Sequence, residues 1–403
     1  MREEHLFQIL GQIDGDLIIA ADTPGKRTLP WGNYAKLAGW AASLVLLIGL
    51  GTVVFHRIQL HEPLSPEVTP VPNQPTPTDI DGLPILTIEF MVDGMGFEGY
   101  MVHSYSDLKN TNPWSESLGI THLPVFRNSI DYAEGYQIPT PDWETMEQQL
   151  LAVGDRFGMK DIQSTRREDP YAPSIEGKSG DMTMDIRHDM TTTIRDRETP
   201  AKLPSEFHYE NYNMPYEKYY SIGEYLQKEY ADFIHMENPC INVHGGDYDI
   251  YNNQSYHISF YDSCEDPVQR ILNYNFNQVH FYTLNGTLDL FRVEHPDLSH
   301  VVGNYPIISG ATARELLIDH AYMTTVPYDF PGEEYIHGYE LVYRSHICEE
   351  YFLPYYCFYV ELPEENTSEN ALQNGLLTLG AYYVPAVEGK YIENFPIGEL
   401  KFN

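Results

Sequence analysis

The chain has 403 residues, with 24 Lys and Arg against 59 Asp and Glu, for a formal net charge of -35. A field of that sign repels nucleic acid and anionic lipid headgroups and favours cations or basic partner surfaces, which excludes a DNA- or RNA-binding role. At 42% hydrophobic residues, the chain can bury a sizeable core.

In residues 1–33, Leu6, Leu10, Ile13 and Leu17 recur at helical spacing. They form an apolar stripe with no domain of its own to cover, suited either to a cytoplasmic regulator docking on residues 5–20 or to a helix lying on the bilayer. From Leu37 to Phe55, LAGWAASLVLLIGLGTVVF runs for 19 residues without a charge. As a helix it is long enough to cross a hydrocarbon core of about 30 Å. Lys26, Arg27 and Lys36 precede it and only Arg57 follows closely. The positive-inside rule therefore predicts a single-pass anchor over 34–56, an integral membrane segment with the N-terminus cytoplasmic and the rest extracellular. The run ends in VVFHRIQL, without the small-x-small site of a cleaved signal peptide. Residues 1–61 hold equal numbers of basic and acidic side chains, so the net charge of -35 belongs to the exported part. The tail and span, EEHLFQILGQIDGDLIIAAD, GKR and TLPWGNYAKLAGW, resemble the corresponding segment of single-pass exported proteins of Gram-positive bacteria. Some of those resemble membrane-bound anti-sigma factors, which implies a cytoplasmic contact with a sigma factor or kinase.

Residues 57–84 read as a spacer. EPLSPEVTPVPNQPTPTDIDGLP contains seven prolines, the mark of a stiff extended segment that holds the C-terminal part off the membrane. Ile85 to Val92 reads as a strand running into Gly94, Gly96 and Gly99, formally G-x-G-x-x-G. A dinucleotide site needs a helix to open there, and Asn110, Asn112 and Pro113 break the segment instead.

Beyond this point one theme recurs, a helix followed by antiparallel strands. Thr140-Pro141-Asp142 caps a helix with Trp143, Met146, Leu150, Val153 and Phe157 on one face and Gly158 at its close. Met182 to Ile186 and Thr191 to Arg195 follow as a strand pair. Ser221 and Glu224 read as a capping box for a second helix. Two hairpins come next, one flanked by Cys240 and Cys264, the other turning at Asn285-Gly286. Ser309 opens a third helix with Ala313, Leu316 and Leu317, before strands over Tyr335 to Arg344, Phe352 to Leu362 and Leu376 to Val387. The pattern predicts an α+β fold: tandem modules over 85–205, 206–303 and 304–403, each a helix packed on an antiparallel sheet with its other face free. ELVYR (Glu340 to Arg344), PYYCFYVEL (Pro354 to Leu362) and GAYYVPAV are distantly similar to the YycH/YycI membrane-anchored regulators of a cell-wall sensor kinase. That resemblance implies PepSY-like ectodomain modules and transfers no catalytic residue.

All four cysteines, Cys240, Cys264, Cys348 and Cys357, fall in the exported part, where an even number reads as disulfides. Cys240 and Cys264 lie symmetrically about Asn252, which predicts a bridge across that hairpin. Cys348 and Cys357 bracket a shorter loop and form the second expected pair, although four cysteines allow three connectivities. Of the metal patterns, His235, Cys240 and His244 with Cys264 compete with that bridge, and His244-Gly245-Gly246-Asp247-Tyr248-Asp249 lacks the remaining ligands of a calcium loop. No metal or cofactor is expected. Ser106-Asp107-Leu108-Lys109 matches S-x-x-K without a K-T-G, and no G-x-S-x-G, H-E-x-x-H or Walker loop occurs. The 32 tyrosines are the outstanding feature. Tyr355, Tyr356, Tyr382 and Tyr383 are predicted as a binding surface for a protein partner or a cell-wall component. The sequence therefore reads as a non-catalytic, membrane-tethered sensor or regulatory binding protein, against the alternative of an exported hydrolase or carbohydrate-binding protein.

Overall fold

The computed structural model describes residues 79–88, 98–130, 137–138, 140–196, 201–207, 212–284, 287–345 and 349–396. The tail and span predicted over 1–56 lie outside these residues, as do most of the spacer, Gly94, Gly96, Asn285, Gly286 and Cys348. No helix among the described residues is long and apolar enough to cross a membrane.

In chain order, β1 (Asp79–Ile80) and β2 (Leu83–Pro84) form a small hairpin. Asp81 and Gly82 turn it with φ of 56° and 79°, the geometry that Asp-Gly favours. The end of the predicted spacer is thus folded. Of the strand predicted over Ile85 to Val92, the described part makes one isolated bridge, Leu86 to Ile392. Gly99 begins a strand, β3 (Gly99–Val102), so the glycine pattern does not open a helix there. β4 (His122–Arg127) and α1 (Trp143–Arg156) follow. Asp142 caps α1 by accepting from the Thr145 amide at 3.0 Å. Next come β5 (Gln163–Arg167), β6 (Ser174–Ser179), β7 (Met182–Arg187), β8 (Thr192–Asp196) and β9 (Ala201–Lys202).

α2 (Tyr216–Glu229) begins before the capping box that the sequence predicts. Ser221 lies inside it and donates to the Glu217 carbonyl at 2.9 Å, the back-bonding habit of a mid-helix serine. α3 (Ala231–Ile234), β10 (Pro239–Tyr248), β11 (Gln254–Asp262) and α4 (Pro267–Phe276) come next. The chain then runs through β12 (Val279–Leu284), β13 (Thr287–Val293), β14 (Val301–Pro306) and α5 (Gly310–Ile318). It closes with β15 (Ile336–Tyr343), β16 (Tyr351–Phe352), β17 (Pro354–Glu361), α6 (Glu369–Gln373) and β18 (Leu377–Pro385).

The α+β class holds, with antiparallel ladders throughout the named strands. A nine-stranded sheet has the order β10-β11-β12-β13-β8-β7-β6-β5, with β9 also on β13. A four-stranded sheet runs β15-β17-β18-β3, and a three-stranded one β14-β4-β16. The predicted module boundaries at 205 and 303 therefore do not separate sheets. β8 of the first stretch pairs with β13 of the second, and β3 of the first pairs with β18 of the third. Pro77 to Asn403 form one compact unit.

Alternation decides which face of the large sheet is covered. Ile241, Val243, Ile258, Phe260, Val279 and Phe281 point to one side, where Ile222 and Leu226 of α2 bury them. Met146, Leu150 and Val153 of α1 cover the other half of that face, against Ile175, Met184 and Ile186. Each such Leu, Ile or Phe contributes about 1.5–3 kcal/mol on full burial. Asn242, His244, His257, Ser259 and His280 consequently sit on the opposite, polar face.

Candidate ligand-binding cavity

The polar face of the large sheet and one face of the four-stranded sheet together line a cavity of about 410 Å³, within the usual range for small-molecule sites. From the large sheet come Asn242 and His244 on β10 and His280 on β12. Register assembles the facing wall. Glu340 of β15 lies opposite Cys357 of β17, which lies opposite Tyr383 of β18, and cross-strand partners project to the same side. Tyr359 and Tyr100 complete that wall.

Tyrosine hydroxyls hold two carboxylates here. Glu98 Oε1 accepts from Tyr100 at 2.9 Å and from Tyr383 at 2.6 Å. Glu340 Oε1 accepts from Tyr359 at 2.5 Å, and its Oε2 from the amides of Asn110 and Asn112, both at 3.0 Å. Burial, reinforced by these carboxylates, pushes the phenols of Tyr100, Tyr359 and Tyr383 well above their ordinary value. The phenols remain donors. The Cys357 thiol is likewise pushed up, by burial first and then by Glu98 and Glu340. Arg344 lies over the Tyr383 ring at 4.9 Å and donates to Glu349 at 2.8 Å.

On the opposite wall, His244 has its ring 5.6 Å from that of His257 and 6.0 Å from that of His280. Burial, with the two neighbouring imidazoles, pulls its pKa down to about 3, so it is neutral at physiological pH. Its Nε2, and Oε1 of Gln278, are buried without a hydrogen-bond partner. Buried polar atoms are seldom left so.

A larger cavity of about 600 Å³ includes Arg187, Asp189, Glu294, Asp297 and His300. Its charges find partners: Arg187 with Asp189 at 3.6 Å, His300 with Asp297 at 3.9 Å, and Glu294 with His280 of the smaller cavity at 3.5 Å. The smaller cavity is the better candidate because, among the described residues, neither Glu98 nor Glu340 has a cation within 4.0 Å. Among the described residues, no three His, Cys, Asp or Glu side chains converge to hold a metal ion.

Three of the four tyrosines predicted as a binding surface are core instead. Tyr355 and Tyr382 are 0% exposed and Tyr356 is 2% exposed. β17 and β18 are the inner strands of a sheet covered on both faces, so alternation exposes neither set of side chains. Tyr356 donates inward to the Ile308 carbonyl at 2.8 Å. Only Tyr383 of the four reaches the cavity.

The cysteine bridge is displaced as well. Cys240 lies opposite Tyr261, Cys264 falls beyond the end of β11, and both are free thiols, as is the buried Cys357. The predicted symmetry about Asn252 fails because β10 carries an irregularity between Gly245 and Tyr248. In addition, Asp249 organises the turn by accepting from the amides of Tyr251 and Asn253, each at 2.8 Å. Cys348 lies outside the described residues, and Cys357, its expected partner, is a free thiol.

Sequence reasoning missed Glu98, Gln278, His280 and Tyr359. The available signal was a charged residue inside an otherwise apolar strand, as Glu340 is in IHGYELVY. Such a residue is either exposed on an edge or has dedicated donors.

Neither the family models nor the curated proteins contain a match to this chain. Among solved structures, an uncharacterized protein from Eubacterium rectale ATCC 33656 is similar over 67% of this chain and 85% of that one, at 10% identity and a TM-score of 0.31, too loose a likeness to bear on fold or function.

Proposed function

We propose that the chain is a membrane-tethered, extracytoplasmic sensor or regulatory binding protein that holds a small polar ligand between its sheets. The cavity carries this reading: among the described residues, two carboxylates with no Lys, Arg or His within 4.0 Å, together with His244 and Gln278, each of which has a buried polar atom without a partner, line one space of about 410 Å³. The apolar stretch Leu37 to Phe55 and the proline-rich spacer support the tether, and Lys26, Arg27 and Lys36 on its N-terminal side support the orientation. Binding is favoured over turnover because the thiol lining the cavity is pushed up rather than down, the reverse of an activated nucleophile.

Protease added to intact cells is expected to remove the part beyond Pro63 and spare the first 33 residues. Protection of residues 85–403 would overturn the orientation. A thermal-shift screen of the full chain in neutral detergent is expected to find small polar ligands that raise Tm in the wild type and not in Glu340→Gln. Shifts that persist unchanged in Glu340→Gln place binding elsewhere.

A further inference from the structure

We infer that the cavity recognises a primary ammonium group, an inference that rests on reading this cavity as the ligand site. Among the described residues neither Glu98 nor Glu340 has a Lys, Arg or His within 4.0 Å. Of the Lys and Arg side chains in the lining, Arg344 donates to Glu349, and Lys109 Nζ turns to the Ser106 carbonyl at 2.6 Å rather than to either carboxylate. Both carboxylate fields converge at Cys357, whose thiol they push in the same direction. Two like charges bordering one partly dehydrated space repel, and a ligand cation offsets that repulsion.

Aromatic walls favour the same charge. The rings of Tyr100 and Tyr359, both in the lining, stand 5.7 Å apart at 59°. Faces at such spacing attract a cation within about 6 Å. The remaining lining narrows the class to an ammonium that carries hydrogens. Gln278 Oε1 is an acceptor without a donor, and neutral His244 Nε2 lacks a partner. Gln278 commits its Nε2 to the Tyr274 carbonyl, which leaves the oxygen for the cavity. A quaternary ammonium offers no donor to the Gln278 oxygen, whereas a primary one brings three N–H donors.

A diamine and the side chain of a lysine-containing peptide share this chemistry, so both serve as probes. Calorimetric titration of the full chain in neutral detergent would use 1,5-diaminopentane and Nα-acetyl-lysine methylamide, with 1,5-pentanediol, tetramethylammonium and N-acetylglucosamine as comparators. Saturable binding is expected for the primary amines, weaker by about tenfold or more in Glu98→Gln and Glu340→Gln. A preference for the diamine identifies a free polyamine as the source, and a preference for the lysine derivative a peptide. If either Gln variant fails to fold, Gln278→Met, which keeps both carboxylates, is expected to show the same weakening. Tetramethylammonium or the diol binding as well as the diamine overturns the inference. N-acetylglucosamine binding in place of the amines, and lost in Gln278→Met, also overturns it while leaving the ligand-site reading intact. Absence of saturable binding by all five overturns both.

Discussion

At the scale of single residues, His244 makes the cavity sensitive to pH. Its folded pKa is about 3 against an ordinary value of 6.5, so between those values the unfolded chain binds a proton that the folded chain refuses. Its contribution is complete above pH 6.5 and is lost as pH falls toward 3, with a slope of up to about 1.4 kcal/mol per pH unit. His257, His280 and Glu294 face the same ring. The test is therefore the difference between wild type and His244→Phe in urea midpoints from pH 7 to pH 4. The variant is expected to lose less stability over that range, and parallel curves would sink the assignment. Tyr382 gives a second residue-level test. It is wholly buried with Phe330, Phe358 and Val384, so Tyr382→Ala is expected to cost about 3–5 kcal/mol in chemical denaturation. A loss under about 1 kcal/mol would return it to the surface role that its sequence setting suggests.

Among the elements, those with a local cause were legible and those set by pairing were not. Asp142 and Ser309 announce α1 and α5 because capping needs only the residue and the next turn. α4 carries the same kind of signal, Asp266 followed by Pro267, but it sits against the flank of the cysteine hairpin, where the strand pattern masks it. The hairpin itself shows where local reading stops. Strands at β10 and β11 follow from their β-branched and aromatic residues, but the register depends on Asp249 and on an irregularity that brings Gly245 to a φ of 103°. That register decides the thiols. Peptide mapping without reduction is expected to return Cys240 and Cys264 as alkylated thiols, and a recovered 240–264 bridge would mean that β11 ends elsewhere. The candidate site was illegible for a related reason. Its histidines and carboxylates come from β10, β12, β15 and the approach to β3, and nothing in their spacing along the chain records that two sheets bring them together.

For the molecule as a whole, the -35 charge and the cavity belong to one electrostatic picture. An acidic exterior concentrates cations near a space where, among the described residues, neither Glu98 nor Glu340 has one within 4.0 Å, and such steering weakens as salt shortens the Debye length. The fold also interleaves the chain from end to end of the described unit, since β3 pairs only with β18 and Leu86 bridges Ile392. This closure has a kinetic meaning. During synthesis β3 is the first strand of its sheet to emerge, and its partner among the described strands, β18, follows some 280 residues later, so its open edge must wait through most of translation. The wall of the cavity that carries Tyr100 and Tyr383 is consequently the last part to form. A chain cut short between β3 and Leu377 carries an unpaired strand and no finished cavity, and that edge is left exposed to aggregation and proteolysis.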